Sequence, residues 1–122
     1  MFLCVLALAC GGAIAAKPGP EPVRAQEAAD YSVLPADMEA LRDLDARHRA
    51  IVRRAARMCS GLRGTLPRTG LYADPCVRRN VESGLEKAED PQLTAFHYAL
   101  PLRVRYDGLR SEADWRRAVN KA

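Results

Sequence analysis

The chain is short of the residues that build catalytic and metal centres: it has two histidines, one tryptophan and two phenylalanines among 122 residues. His48 and His97 show no ligand-like spacing to a cysteine, so a structural zinc site lacks its donors. Ser60 and Ser83 have no Ser-His-acid or G-x-S-x-G setting. Gly61 and Gly64 stand in a loop rather than a phosphate-cradling motif. No two carboxylates form a recognisable acid/base arrangement, and C-x-x-C is absent. These gaps lead us to expect a protein that is not an enzyme and carries no cofactor. Long apolar runs are missing too. Phe2 to Ala9 falls far short of the about 20 apolar residues a membrane helix needs, so no transmembrane span is expected in the mature chain.

Charge of one sign is only mildly in excess: 19 basic against 15 acidic residues give a formal +4. That balance favours loose contact with anionic surfaces but lacks the density of a dedicated nucleic-acid binder. Few aromatics lie among the arginines, which argues against single-stranded nucleic acid, and no nucleic-acid partner is expected.

What is present is four cysteines in two settings. Cys4 and Cys10 lie in an apolar leader, Met1 to Ala16, where Gly11 and Gly12 break the apolar stretch. Ala13-Ile14-Ala15 then offers the small-x-small pattern of a signal peptidase site. The expectation is export, with cleavage after Ala15 or Ala16, to the periplasm or the medium. Cys10 raises a lipoprotein alternative, but Leu8 stands where a smaller residue is preferred. Lys17 to Asp30 follows as an extended linker, with Pro18, Pro20 and Pro22 blocking helix and central strand alike. Residues 31–122 make the single folded domain.

Within it, Met38, Leu41, Leu44, His48, Ile51, Val52, Ala55 and Met58 recur at helical steps, which predicts a helix over Ala36–Cys59. Asp37, Glu39, Asp43 and Asp45 crowd its front, and Arg49, Arg53, Arg54 and Arg57 its back, as the helix dipole favours. Ser60 to Ala73 reads as a loop. Asp74-Pro75 and Asp90-Pro91 each give a capped start to a further helix, the latter ending at Pro101. Leu102 to Tyr106 alternates apolar and basic residues and is expected to form a strand, pairing with Tyr31 to Leu34. Ser111 and Asp114 open a last helix whose Trp115, Ala118 and Val119 face the core rather than a partner. The expected fold is all-α: three to four helices, one disulfide, and a minor two-strand pairing.

Given export, Cys59 and Cys76 are expected to bridge, stapling the end of the first helix to the start of the second. Arg53, Arg54, Arg57, Arg78 and Arg79, with Arg63 and Arg68 nearby, cluster around that staple. They read either as a solvated helix face or as an anion-binding end meeting an anionic envelope component or an acidic protein. His97, between Phe96 and Tyr98, is a candidate ligand for a metal or small molecule; its plainer reading is a packed, half-satisfied ring. His48, on the apolar stripe, takes the plainer reading.

The run Ile51 to Cys59, then Cys76-Val77-Arg78-Arg79, then Asp90-Pro91-Gln92-Leu93-Thr94-Ala95-Phe96-His97 resembles the UrcA family, over about residues 36–99. Those are small exported bacterial proteins with an arginine-rich helix ending in Cys and a closing Pro-x-Leu-Thr-Ala-x-His segment; Phe96 stands where the family usually has Leu. The resemblance implies an exported, disulfide-linked helical protein of the bacterial envelope and brings no assigned activity. Together these readings give an exported, non-catalytic accessory or binding protein, with a periplasmic ligand binder using His97 as the alternative.

Overall fold

In the computed structural model, residues 29–63 and 71–122 are described. The expected signal peptide, the linker up to residue 28, Arg68 and the side chain of Arg63 lie outside that description. Five α-helices follow in order: α1 (Met38–Arg63), α2 (Pro75–Ala88), α3 (Pro91–Ala99), α4 (Leu102–Arg105) and α5 (Glu112–Lys121). Single 3-10 turns stand at Tyr31–Val33 and Leu71–Ala73. The domain is all-α, and among the described residues there is no strand.

The apolar stripe of α1 buries Leu41, Leu44, Val52, Ala55 and Cys59, and His48 lies within it. Asp37 caps its start, Oδ2 accepting from the Ala40 N–H at 3.1 Å. The helix runs on to Arg63, past the end expected at Cys59. Gly61 costs a helix about 1 kcal/mol but keeps its N–H, so the backbone ladder continues through it. Asp74 and Asp90 start α2 and α3 as expected, each accepting from the N–H groups two and three residues on, with Pro in the first turn.

Two contacts fix α1 and α2 as an antiparallel pair. Cys59 and Cys76 are disulfide-bonded, with Cα atoms 5.9 Å apart and a sequence separation of 17. Near the other end, a Cβ on Gly84 would sit 2.9 Å from Ile51 Cγ2, so glycine lets the two helices approach there. Closing a loop of this size contributes roughly 3 kcal/mol by restricting the unfolded chain.

α3 is the central helix. It buries Leu93, Ala95, Phe96 and His97, more than one face, and packs against α1, α5 and the Tyr31–Val33 turn. α5 begins with the expected Ser111–Asp114 capping box and docks Trp115, Ala118 and Val119 on the chain's own core.

The expected strand pairing does not form: Tyr31–Val33 is a 3-10 turn and Leu102–Arg105 a short helix. Five alternating residues are too few to separate a period of 2 from a helical turn, and the backbone here has other partners. Asp30 caps the first segment, which binds α3 instead: the Tyr31 hydroxyl donates to the Tyr98 carbonyl at 3.3 Å, and Gln92 Nε2 donates to Val33 O at 2.9 Å. In the second, Arg105 turns inward rather than to solvent, and its guanidinium donates to the Leu100 and Tyr98 carbonyls left open where α3 ends.

Glu89 ends α2 in the left-handed region, at φ 49°, between the helix and the Asp90 cap. A side chain held there costs on the order of 1 kcal/mol that glycine avoids. Glu89→Gly is therefore expected to raise stability by about 0.5–1 kcal/mol in urea unfolding.

Candidate functional site

Two groups of residues deserve a functional reading, one inside the domain and one on its surface. The internal group is polar. Asp45, His48, His97, Arg105 and Arg110 are all at most 5 % exposed, although they sit within an otherwise apolar core. α1 supplies Asp45 and His48, three residues apart on one face. α3 supplies His97, α4 supplies Arg105, and the turn leading into α5 supplies Arg110.

Their contacts form a directed chain. Arg110 Nε donates to Asp45 Oδ1 at 2.8 Å, while Arg49 Nε lies 2.9 Å from Asp45 Oδ2. Arg110 NH2 stands 2.9 Å from His48 Nδ1, and His48 Nε2 stands 2.8 Å from His97 Nδ1. A guanidinium can only donate, which decides both tautomers. His48 Nδ1 accepts from Arg110, so its proton sits on Nε2 and is donated to His97 Nδ1. His97 then carries its own proton on Nε2, and that buried atom has no hydrogen-bond partner among the described residues.

Rings close the site. His48 meets Phe96 edge-on at 5.8 Å between centroids, and His97 meets Tyr98 and Tyr106 edge-on at 4.8 and 5.7 Å. Phe96 in turn lies 5.8 Å from Trp115. Burial is the main force holding both histidines well below the usual imidazole value of 6.5; Arg110 adds to it at His48 and Arg105 at His97. Both rings are neutral at pH 7. Burial also lowers the Arg110 guanidinium, opposed by Asp45.

This arrangement does not suit a metal in its present form. Two nitrogens on a tetrahedral zinc at about 2.0–2.1 Å stand roughly 3.3 Å apart, wider than the His48–His97 contact. Donor atoms of Cys59, Asp74 and Cys76 do lie within 4.8 Å of one another, but both sulfurs are spent in the disulfide. Asn80 Nδ2 lies 3.5 Å from Cys59 Sγ and donates to Cys76 O at 2.9 Å, holding α2 to the staple.

The surface group is basic. Arg53, Arg54, Arg57 and Arg79 are exposed and Arg78 is half-buried. Among the described residues, none of the five has a carboxylate partner, whereas Arg42, Arg47, Arg49, Arg110 and Arg116 each sit against Asp or Glu. Arg57, Arg78 and Arg79 flank the staple, whereas Arg53 and Arg54 lie one to two turns further along α1, beside Ile51 and the Gly84 approach, and the five do not share one face. Arg54 lines a groove of about 340 Å³ between α1 and α2, with Lys87, Asn80 and Ser83 beside an apolar floor of Ile51, Ala55, Met58 and Ala88. Met58, 51 % exposed, is one of the few large apolar side chains in water. Arg53 instead lies against the Gly108 turn, and the charge of Arg78 reaches His97.

No protein-family model, curated protein or solved structure matches this chain.

Sequence reasoning named His97 and the arginines but missed the internal chain. His48 carried the available signal, a polar residue on an apolar stripe, and Asp45 sits one turn before it on that same side. Arg105 and Arg110 gave none, since a basic residue in a short polar segment ordinarily points to water. Removing Arg110 leaves Asp45 and His48 buried without their main donor. Arg110→Met is therefore expected to cost about 3–5 kcal/mol in urea unfolding, against under about 1 kcal/mol for the exposed Arg117→Met.

Proposed function

We propose that this is an exported, non-catalytic accessory protein of the bacterial envelope, which binds an anionic envelope component through its stapled, arginine-rich end. The observation that carries the reading is the segregation of charge. Carboxylates neutralise Arg42, Arg47, Arg49, Arg110 and Arg116, and among the arginines without such a partner in the described residues five, Arg53, Arg54, Arg57, Arg78 and Arg79, gather on α1 and α2 around and beyond the staple, whereas Arg103 and Arg117 stand apart on α4 and α5. A guanidinium left without a carboxylate stays available for paired hydrogen bonds to phosphate or carboxylate. Arg54 and Lys87 stand beside exposed apolar surface in the α1–α2 groove, a combination that suits an anionic amphiphile better than a simple polyanion.

Three further points support it. The disulfide agrees with an oxidising compartment, and so with the leader sequence and the UrcA-like motif. No helix among the described residues is long and apolar enough to cross a membrane. The titratable cluster that would be the first candidate for chemistry is closed to solvent, with His48 and His97 both 0 % exposed. A ligand role for His97 would require that cluster to open.

The reading makes two expectations. Protein recovered from its bacterial host should lack the leader, and its body cysteines should take up alkylating reagent only after reduction. Purified protein should co-sediment with phosphatidylglycerol vesicles and not with phosphatidylcholine vesicles, losing binding as salt rises. Arg54→Glu with Arg57→Glu and Arg79→Glu should weaken vesicle binding at least tenfold, while Arg117→Glu should change it less than twofold. Equal loss in both variants, or none in either, would remove the arginine-rich end from the account.

A further inference from the structure

A buried imidazole pair whose hydrogen bonds have a forced direction is sensitive to one small species, the proton. The chain Asp45–Arg110–His48–His97 uses every position on the His48 ring: Nδ1 accepts from Arg110 and Nε2 donates to His97. A proton added to His48 must go on Nδ1, where it meets a guanidinium N–H at 2.9 Å. A proton added to His97 must go on Nδ1, where it meets the His48 N–H at 2.8 Å. Either way two donors face each other; Arg110 NH2 keeps Asp45 beside it, with Oδ1 at 2.8 Å and the carbonyl at 3.4 Å, but the ring nitrogens have no other acceptor among the described residues. The sites that the hydrogen bonds occupy are the only basic sites the two rings have.

The surrounding charges act in the same direction. Facing the pair are Arg110 from the turn before α5, Arg105 from α4 and Arg78 from α2, with Arg49 of α1 one step further out against Asp45. Asp45 is the facing carboxylate, and Arg110 and Arg49 already engage both of its oxygens. Asp107 lies near Arg110, where its Oδ1 accepts from the Leu109 N–H. Tyr98 and Tyr106 present rings to His97. An imidazolium formed here would be a buried cation among cations.

We propose that His48 and His97 form a proton-operated latch between α1 and α3, closed at neutral pH and released in mild acid, which frees α3 and the segment carrying Arg105, Arg110 and α5 from α1. The disulfide places the division. Cys59 and Cys76 join α1 to α2 covalently, whereas α3 and the segment after it are held to α1 by the packing of α3, by this polar chain and by the surface ion pairs Arg47–Asp90 and Arg42–Glu112. Trp115 reports on the moving side, because it packs at a tilt against Phe96, the ring that meets His48 edge-on. An exported protein meets the external pH directly, so the latch would need no further sensor.

The direction in pH follows from proton counting. In the open chain both histidines bind protons near pH 6.5; in the closed chain burial and then the facing arginines hold them well below it. Below about pH 6.5 the open state therefore carries more protons, and the closed state loses stability as pH falls. With two protons taken up, the opening constant rises up to about a hundredfold per pH unit. Carboxylates ionise near about pH 4, so the interval from pH 6.5 to 5 isolates the histidines.

The test is Trp115 fluorescence of the full chain, disulfide intact, titrated from pH 7.5 to 4.5 at a urea concentration just below the unfolding midpoint. The wild-type transition should be steep, with two protons taken up. In His97→Asn, whose amide oxygen can accept from His48 in place of Nδ1, it should take up one proton and move to lower pH. His48→Gln serves as the second variant, its amide nitrogen standing in for Nε2, and should also take up one. A Trp115 signal that is flat from pH 6.5 to 5, or a transition of the same steepness in wild type and both variants, overturns the proposal.

Discussion

The Arg110 guanidinium is the contact on which the interior of this domain depends. From the turn before α5 it reaches three other helices at once. It neutralises Asp45 on α1, donates to His48 one turn further on, reaches the Arg105 carbonyl at 3.5 Å, and lies over the Phe96 ring of α3 at 5.8 Å. Because it can only donate, it sets the tautomer of His48, and through His48 that of His97. An apolar core of Leu, Val and Phe would fill the same space with less desolvation cost. What the polar chain adds is direction: seating α3 on α1 in this register runs the hydrogen bonds from Arg110 through His48 to His97.

Much of the fold could be read from sequence, because the relevant signals are local. Asp74-Pro75 and Asp90-Pro91 start helices through cap geometry that depends on a handful of neighbouring atoms. The stripe from Leu41 to Cys59 has helical periodicity over enough residues to leave no rival period. The Cys59–Cys76 bond was expected from the leader read as an export signal, and the two helix signals said what it would join. The segment from Leu102 to Tyr106 failed for the opposite reason. It is short, and its conformation answers to the open carbonyls at the end of α3, a partner that no local pattern announces.

The candidate site was harder to read for the same reason. His48 and His97 are 49 residues apart in sequence and meet only because α3 packs across α1. Asp45 looked like one of several carboxylates suited to the front of a helix, yet it is 4 % exposed, while Asp43 remains in solvent. The angular position on the helix separates them: Asp45 lies one turn from His48 on the buried side. The basic end was legible as a cluster in sequence, but its division between the α1–α2 groove, the Gly108 turn and the His97 neighbourhood came from packing.

The account stands on the protonation and tautomer of the two buried rings. The most direct measurement is of their nitrogen chemical shifts, by NMR of histidine-labelled protein at pH 7 and again at pH 6. The account predicts that His48 and His97 are both neutral at both pH values, each with its proton on Nε2 and a bare Nδ1. A ring that titrates near about 6.5, as a solvated imidazole does, or a proton found on Nδ1 of either histidine, would contradict it.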